Sequence, residues 1–404
     1  CAAGSGAVRP GPTEAHGASV LSQAAAAAPA PVTASKDQRA PSSQPPGGLS
    51  PAQVPLFLVV GWDDNGYSGL PGSGGDGGMR WALDLAEQLG NPPGQGQSAT
   101  FDGSPARFSF YMTTLPLEGD AARGGEPPAL LRRVWAEARD RGHELGIHTH
   151  RHLHGAKMSR EGWAKEIREC QDWLGRAPGP AGGVAASVDS LTGFRAPFLE
   201  YNGAALQAAQ AAGLRYDCSI EEGFQPDQDG TNFLWPYTLD EGSPGHRTLV
   251  KWELKPEIGR YPGLWELPAY VVIAPPDQDC ERLGTRPGLR ARLKQRQSWF
   301  DTEGGKITGF DYNLWELYNM DEGEALATLR HTMELRLRGN RAPLLFGAHT
   351  DFYSSKYTAP PRADVAARRR VMETFLREAL RHPDVRVVSA RQLLDWLRAP
   401  VALR

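Results

Sequence analysis

Leu56-Phe57-Leu58-Val59-Val60-Gly61-Trp62-Asp63-Asp64-Asn65 is an apolar run that ends on two adjacent carboxylates. The greasiest stretch of the chain, Val54 to Val60, overlaps it and is too short to span a membrane, so it reads as a buried strand. Two carboxylates at the end of such a strand are costly unless something neutralises them. Side chains alternate along extended chain, so Asp63 and Asp64 point in different directions and can take different roles. Taken alone, a pair of this kind more often caps the following helix or turn.

Outward from this strand the texture alternates. Met79 to Leu89 carries apolar residues at helical spacing, Arg107 to Met112 alternates as a strand, and Leu130 to Arg141 returns to the helical period. Glu144 to His148 is short and extended. Ser159 is placed to cap a helix whose apolar face is Trp163, Ile167, Cys170 and Leu174. Leu191 to Arg195 and Arg215 to Ile220 read as strands around an alanine-rich helix, Ala204 to Ala212. Late in the chain, Leu344 to Ala348 is a strand between helical stretches Gly323 to Arg338 and Arg362 to Arg381. Alternating strands and helices imply an α/β fold of parallel strands joined by crossover helices, a closed barrel before an open doubly wound sheet. Between Gly223 and Tyr312 the alternation breaks down into a region rich in Pro, Gly, Trp and Tyr, with short extended pieces such as Leu264 to Val272. So long a loop is usually functional, and its aromatic residues suit stacking on sugar rings as well as covering a barrel.

Histidine is concentrated. Four of the ten histidines lie in Gly146-Ile147-His148-Thr149-His150-Arg151-His152-Leu153-His154. Imidazoles four residues apart, such as His148 and His152, can meet at one metal if the turn between them is helical. His150 and His154 share that spacing, so spacing leaves the choice open, and a solvated tract is the bland alternative. Gly193-Phe194-Arg195-Ala196-Pro197-Phe198 ends a third strand, and Leu344-Leu345-Phe346-Gly347-Ala348-His349 ends a late one. A carboxylate pair, a histidine pair, an arginine and a lone histidine thus all fall at carboxyl ends of strands, where a parallel α/β fold gathers its site.

In this order the segments resemble the NodB-homology polysaccharide deacetylases, carbohydrate esterase family 4. Trp62-Asp63-Asp64 matches a first motif ending in Phe-Asp-Asp, and His148-Thr149 with His152 matches the second. Arg195-Ala196-Pro197 matches an Arg-x-Pro motif, and Leu345 to His349 a leucine strand ending in histidine. The match spans most of Pro51 to Arg404. Trp62 stands where the family has phenylalanine, Gly61 where it has threonine, and an Asp-x-x-x-Trp motif has no clear counterpart. Phe233 to Asp240, Pro262 to Pro268 and Tyr216-Asp217-Cys218-Ser219 resemble the arthropod-type chitin deacetylases.

The resemblance implies a distorted (β/α) barrel and metal-dependent removal of N-acetyl groups from an N-acetylhexosamine polymer, chitin-like or peptidoglycan. Asp64, His148 and His152 would hold zinc or another divalent transition metal, with Asp63 as base and His349 as acid. Arg195 would pair with Asp63, and the backbone N–H of Phe198 would steady the oxyanion. Trp265 and Leu345 are candidates for the acetyl pocket, with core as the alternative for both. A two-histidine, one-carboxylate iron oxygenase usually has its carboxylate two residues from a histidine, unlike Asp64. A non-catalytic carbohydrate-binding relic would lack a ligand or catalytic position, and none is missing.

The remaining features bound the partners. A formal net charge of -3 and a pI near 6.4 disfavour nucleic acid, and no apolar run approaches the ~20 residues of a membrane span. Cys1 followed by the Ala-, Pro-, Gly- and Ser-rich stretch to Ser50 resembles a bacterial lipoprotein with a disordered tether, 1–50, ahead of a catalytic domain, 51–404. A lipid on Cys1 would anchor a monomer to a membrane outside the cytoplasm. Cys170, Cys218 and Cys280 are an odd set that allows at most one disulfide and shows no CxxC metal spacing.

Overall fold

The computed structural model describes residues 37–119, 126–357 and 362–403. Cys1 and the rest of the expected tether to residue 36 lie outside the described residues. Residues 37–50, counted in that tether, pack on the domain. Thr238 N donates to Arg39 O at 2.9 Å, Trp235 N donates to Ser42 O at 2.9 Å, and Asp37 pairs with Arg398 at 2.7 Å.

The chain alternates strands and helices through its first half: β1 Leu56–Asp64, α1 Gly78–Glu87, β2 Ser109–Met112, α2 Pro128–Asp140, β3 Glu144–Ile147, α3 Arg160–Gly175, β4 Gly193–Phe194, α4 Gly203–Ala211 and β5 Tyr216–Asp217. The alternation resumes with α8 Glu322–Arg338, β11 Leu344–His349, α9 Val365–Ala379, β12 Val385–Val387 and α10 Ala390–Arg398. Between them lie β6 Glu221–Glu222, β7 Tyr237–Leu239, α5 Pro244–Lys251, β8 Tyr261–Glu266, β9 Ala269–Ile273, α6 Asp277–Leu283, α7 Leu289–Arg296 and β10 Lys306–Thr308. The region expected as a long loop is therefore built of short elements. Strands of two to six residues are too brief to show a period.

The strands form a curled, mostly parallel half-barrel. Its order is β11-β1-β2-β3-β4-β5-β8-β7, with β12 also on β1. Only the β7–β8 pair in it is antiparallel. A second sheet, β10-β9-β6, continues from β5 and meets β11 through Gly347 N donating to Gly309 O at 2.8 Å. The barrel is therefore distorted: its wall is completed by a separate sheet rather than by one closed ladder.

Parity along β1 sorts its side chains. Leu56, Leu58, Val60 and Trp62 enter the apolar layer beneath the helices, while Phe57 and Val59 enter the inner core. That same alternation turns Gly61 and Asp63 inward. Trp62 packs edge-on against Trp81, Phe108 and Tyr353 in the outer layer. In α3 the Ser159 hydroxyl accepts from Gly162 N, and Trp163, Ile167, Cys170 and Leu174 are all fully buried. A cap of this kind contributes about 1 kcal/mol. Cys170, Cys218 and Cys280 are free and buried. Among the described residues no helix is long and apolar enough to cross a membrane.

Inside the barrel, glycines make room for large rings. A Cβ on Gly193 would lie 2.1 Å from the Tyr216 phenol, which closely packed strands cannot relieve. Gly193→Ala should therefore cost about 1–3 kcal/mol by overpacking. Urea unfolding measures this as a lowered midpoint; an unchanged midpoint would contradict the packing described here.

Candidate active site

The inward turn of Asp63 leaves its carboxylate 2% exposed, and a buried cation meets it there. Arg195, just past β4, donates from Nη1 to Asp63 Oδ1 at 2.8 Å and to Gly61 O at 3.2 Å. Its Nε donates to Cys218 O at 3.2 Å. The guanidinium lies over the rings of Tyr111, at 4.4 Å, and Phe310, at 5.0 Å. A Cβ on Gly61 would sit 2.9 Å from both terminal guanidinium nitrogens, so in this chain a side chain there would crowd the arginine. Burial opposes the Arg195 charge, but Asp63 more than restores it and raises the pKa.

Asp64 parts from Asp63 because the chain leaves the strand there. Asp64 and Asn65 both have φ of +65°. Asn65 Nδ2 donates to Trp62 O and Tyr111 O, each at 3.0 Å, and its Oδ1 accepts from Thr350 at 3.1 Å. Held by this turn, Asp64 Oδ1 lies 3.6 Å from His148 Nε2 and 3.2 Å from His152 Nε2.

His148 follows β3 and is 1% exposed. Its Nδ1 is 2.8 Å from Arg195 O. A carbonyl only accepts, so Nδ1 carries the hydrogen and the Nε2 lone pair faces Asp64. Burial chiefly, then His152, lowers its pKa to about 3, so the ring stays neutral. The chain between the two histidines is not the helical turn expected: Thr149 and His152 have φ of +68° and +54°. That backbone, rather than an i,i+4 helical spacing, brings the rings to 5.0 Å between centroids.

The other two histidines face elsewhere. His150 lies between Thr114 Oγ1, at 2.9 Å, and Glu118 Oε1, at 3.1 Å. His154 is exposed, meets Glu200 Oε1 at 3.1 Å and stacks on Phe198 at 4.2 Å. Among the described residues, Asp64, His148 and His152 are the group whose donor atoms all lie within 4.8 Å of one another. One carboxylate and two imidazoles, with a lone pair fixed on His148 Nε2, are a donor set that fits a divalent transition metal.

His349 sits across the β1–β11 ladder from Asp63, in register with it. Its Nδ1 is 2.8 Å from Asp311 Oδ1, and its backbone N donates to Asp311 Oδ2 at 2.8 Å. Burial works against protonation of His349, but Asp311, with Asp64 and Asp63, outweighs it and pushes the pKa up to about 10. Asp311 is the partner that sequence reading missed. It opens Asp311-Tyr312-Asn313-Leu314-Trp315, which supplies the Asp-x-x-x-Trp spacing, and it leads into a π-helix, Asn313–Leu317. Such turns are rare and often functional. The spacing was visible, but it straddled the end of the region read as loop.

Phe198 has φ of +57° and an exposed ring 4.5 Å from that of His152, at the edge of the site. Trp265 and Leu345 are not on that edge. Each is 3% exposed in the inner apolar cluster, and the Trp265 indole N–H reaches Asp37 at 3.3 Å. For both, the core alternative describes their place.

Residues 106–216 match the family model for polysaccharide deacetylase. The chain is similar to a Mycobacterium smegmatis structure assigned as a polysaccharide deacetylase, with 17% identity, 90% of this chain and 96% of that one covered, and a TM-score of 0.50. It is also similar to Agd3, described as a novel carbohydrate deacetylase, with 14% identity, 85% and 54% coverage and a TM-score of 0.45. A family 4 carbohydrate esterase from Streptomyces lividans in complex with acetate has 18% identity, 41% and 64% coverage and a TM-score of 0.25. At 17% identity the first likeness speaks to fold alone. No curated protein matches the sequence.

Purified protein should carry about one divalent ion per chain by elemental analysis, with occupancy falling sharply in Asp64→Ala, His148→Ala and His152→Ala. His154→Ala should keep the ion, and His150→Ala should lose no more than about 10–100-fold in affinity. Full occupancy in His152→Ala, or loss confined to His150→Ala, would assign the wrong histidine pair.

Proposed function

We propose that this chain, whose residues 106–216 match the family model for polysaccharide deacetylase, is a deacetylase of the NodB-homology type, carbohydrate esterase family 4, and hydrolyses N-acetyl groups from an N-acetylhexosamine polymer at the centre formed by Asp64, His148 and His152. The observation that carries the reading is the pairing across one sheet ladder of Asp63, on Arg195, with His349, on Asp311, beside those three donors.

Asp64, His148 and His152 would hold zinc or another divalent ion, which when bound would supply Lewis acidity and a bound water of pKa roughly 7. Asp63, held and aimed by Arg195, takes the proton of the attacking water. The backbone N–H of Phe198, a role carried over from the family, donates to the oxyanion that develops on the acetyl oxygen. His349 holds a proton on Nε2 through the neutral range, since Asp311 occupies Nδ1 and keeps the ring cationic. It delivers that proton to the sugar nitrogen, because an amine leaves poorly unless protonated. The loop resemblance to arthropod-type chitin deacetylases favours a chitin-like β-1,4-linked polymer, with peptidoglycan the other candidate.

Acetate release from a panel of N-acetylated glycans tests the reading; activity on none of the chitin-like or peptidoglycan substrates would reject it. Asp63→Asn and His349→Ala should each keep the metal and lose about 10²–10⁴-fold in turnover. Near-normal turnover in either would remove that residue from the mechanism.

Protonation adds a second test. His349 has its pKa raised from 6.5 to about 10. Its charged pairing with Asp311 therefore contributes fully below about 6.5 and is lost as pH rises through about 10. Asp311→Asn removes the main group that raises this pKa, so the basic limb of the kcat profile should move to lower pH. An unmoved limb would separate the acid from the Asp311 pair.

A further inference from the structure

Beneath Arg195 lies a buried polar chain that the chemistry above does not use. Tyr111, on β2, stands opposite Asp63 in one ladder and opposite Gly146 in the next. Its ring is the face on which the guanidinium rests, 4.4 Å away. The Tyr111 hydroxyl is 2.9 Å from that of Tyr216, and Tyr216 donates to Glu144 Oε1 at 2.8 Å. Tyr216 thus spends its hydrogen on Glu144, and Tyr111 must donate to Tyr216. Glu144 is itself fixed: its Oε2 accepts from Ser109 Oγ at 2.7 Å and from Arg391 N, in the first turn of α10, at 2.8 Å.

The space for this chain is cut by missing side chains. A Cβ on Gly146 would lie 2.5 Å from the Tyr111 ring, and one on Gly61 would lie 2.9 Å from that ring and from the guanidinium nitrogens. Arg195 finds acceptors in Asp63, Gly61 O and Cys218 O. The rings of Tyr111, at 4.4 Å, and Phe310, at 5.0 Å, limit where the guanidinium can move, and the hydroxyl chain keeps the Tyr111 ring from turning away.

We infer that Gly61 and Tyr111, backed by Tyr216 and Glu144, form a clamp that positions Arg195 and through it the base Asp63. The inference rests on the deacetylase reading for its kinetic consequence, while its geometric consequence stands apart from activity. These are positioning residues; none touches the reacting atoms.

Two arms test the clamp on the purified holoprotein. Crystal structures of Tyr111→Leu and Gly61→Ala should show Arg195 displaced and its 2.8 Å contact with Asp63 lost. In acetate release, Tyr111→Leu should lower kcat about tenfold with KM and metal content little changed, and Tyr111→Phe, which keeps the ring but loses the hydroxyl tether, should fall between Tyr111→Leu and wild type. In an Arg195→Ala background, Tyr111→Leu should cost nothing more, because both act through one contact. Retention of the Arg195–Asp63 contact in both variants would overturn the clamp, as would a full additional loss in the Arg195→Ala background. Should Tyr111→Leu fail to fold, Gly61→Ala decides through the same structure and the same cycle. A wild-type protein that releases no acetate would reject the deacetylase reading and leave the crystallographic arm to judge the clamp.

Discussion

Taking the Asp63 carboxylate out of water at the end of a buried strand costs several kcal/mol, and Arg195 at 2.8 Å is the charge that offsets it. Breaking such a pair leaves an uncompensated buried ion, so the strand ends around it are committed to one arrangement. Arg195 serves two centres at once. Its side chain aims Asp63, while its backbone carbonyl takes the Nδ1 hydrogen of His148 and so turns the Nε2 lone pair towards Asp64. Base and metal ligand are thus joined through one residue, and the β1–β11 ladder sets His349 level with Asp63 on the other side.

The cost of this arrangement appears in the backbone. Eleven described non-glycine residues have positive φ, and six of them (Asp64, Asn65, Thr149, His152, Phe198 and Leu199) belong to the site or border it. Such conformations cost of order 1–3 kcal/mol each and persist only where the surroundings over-determine them. For Asp64 and Asn65 the surroundings are the Asn65 side-chain bonds to Trp62, Tyr111 and Thr350. For a β-branched residue such as Thr149 the conformation is a stronger outlier, and it takes the place of a helical turn in bringing His152 back towards His148.

Much of the first half was legible in the sequence because its elements are long or strictly patterned. β1 and the capped helix α3 declare themselves through continuous burial and a 3.6-residue period. The carboxylate pair, the histidine tract, Arg195 and His349 were legible as strand-end residues. Spacing did not choose His148 and His152, since His150 and His154 share it; the motif resemblance did, and the two left-handed residues that bring the rings together carry no propensity signal. Asp311 was missed because Asp311-Tyr312-Asn313-Leu314-Trp315 straddles the end of the region read as loop, where no strand or helix period leads into it. Trp265 and Leu345 attracted attention by type and motif, yet their strand parity turns them into the inner core.

Anomalous diffraction from crystals of the purified protein, collected at the absorption edge of the metal it carries, tests most directly whether one ion organises this site. The account predicts a single strong peak about 2.0–2.2 Å from a carboxylate oxygen of Asp64 and from Nε2 of both His148 and His152, with Asp63 held on Arg195 beside it. A peak ligated by His150 or His154 instead, or metal-replete crystals with no peak among Asp64, His148 and His152, would contradict it.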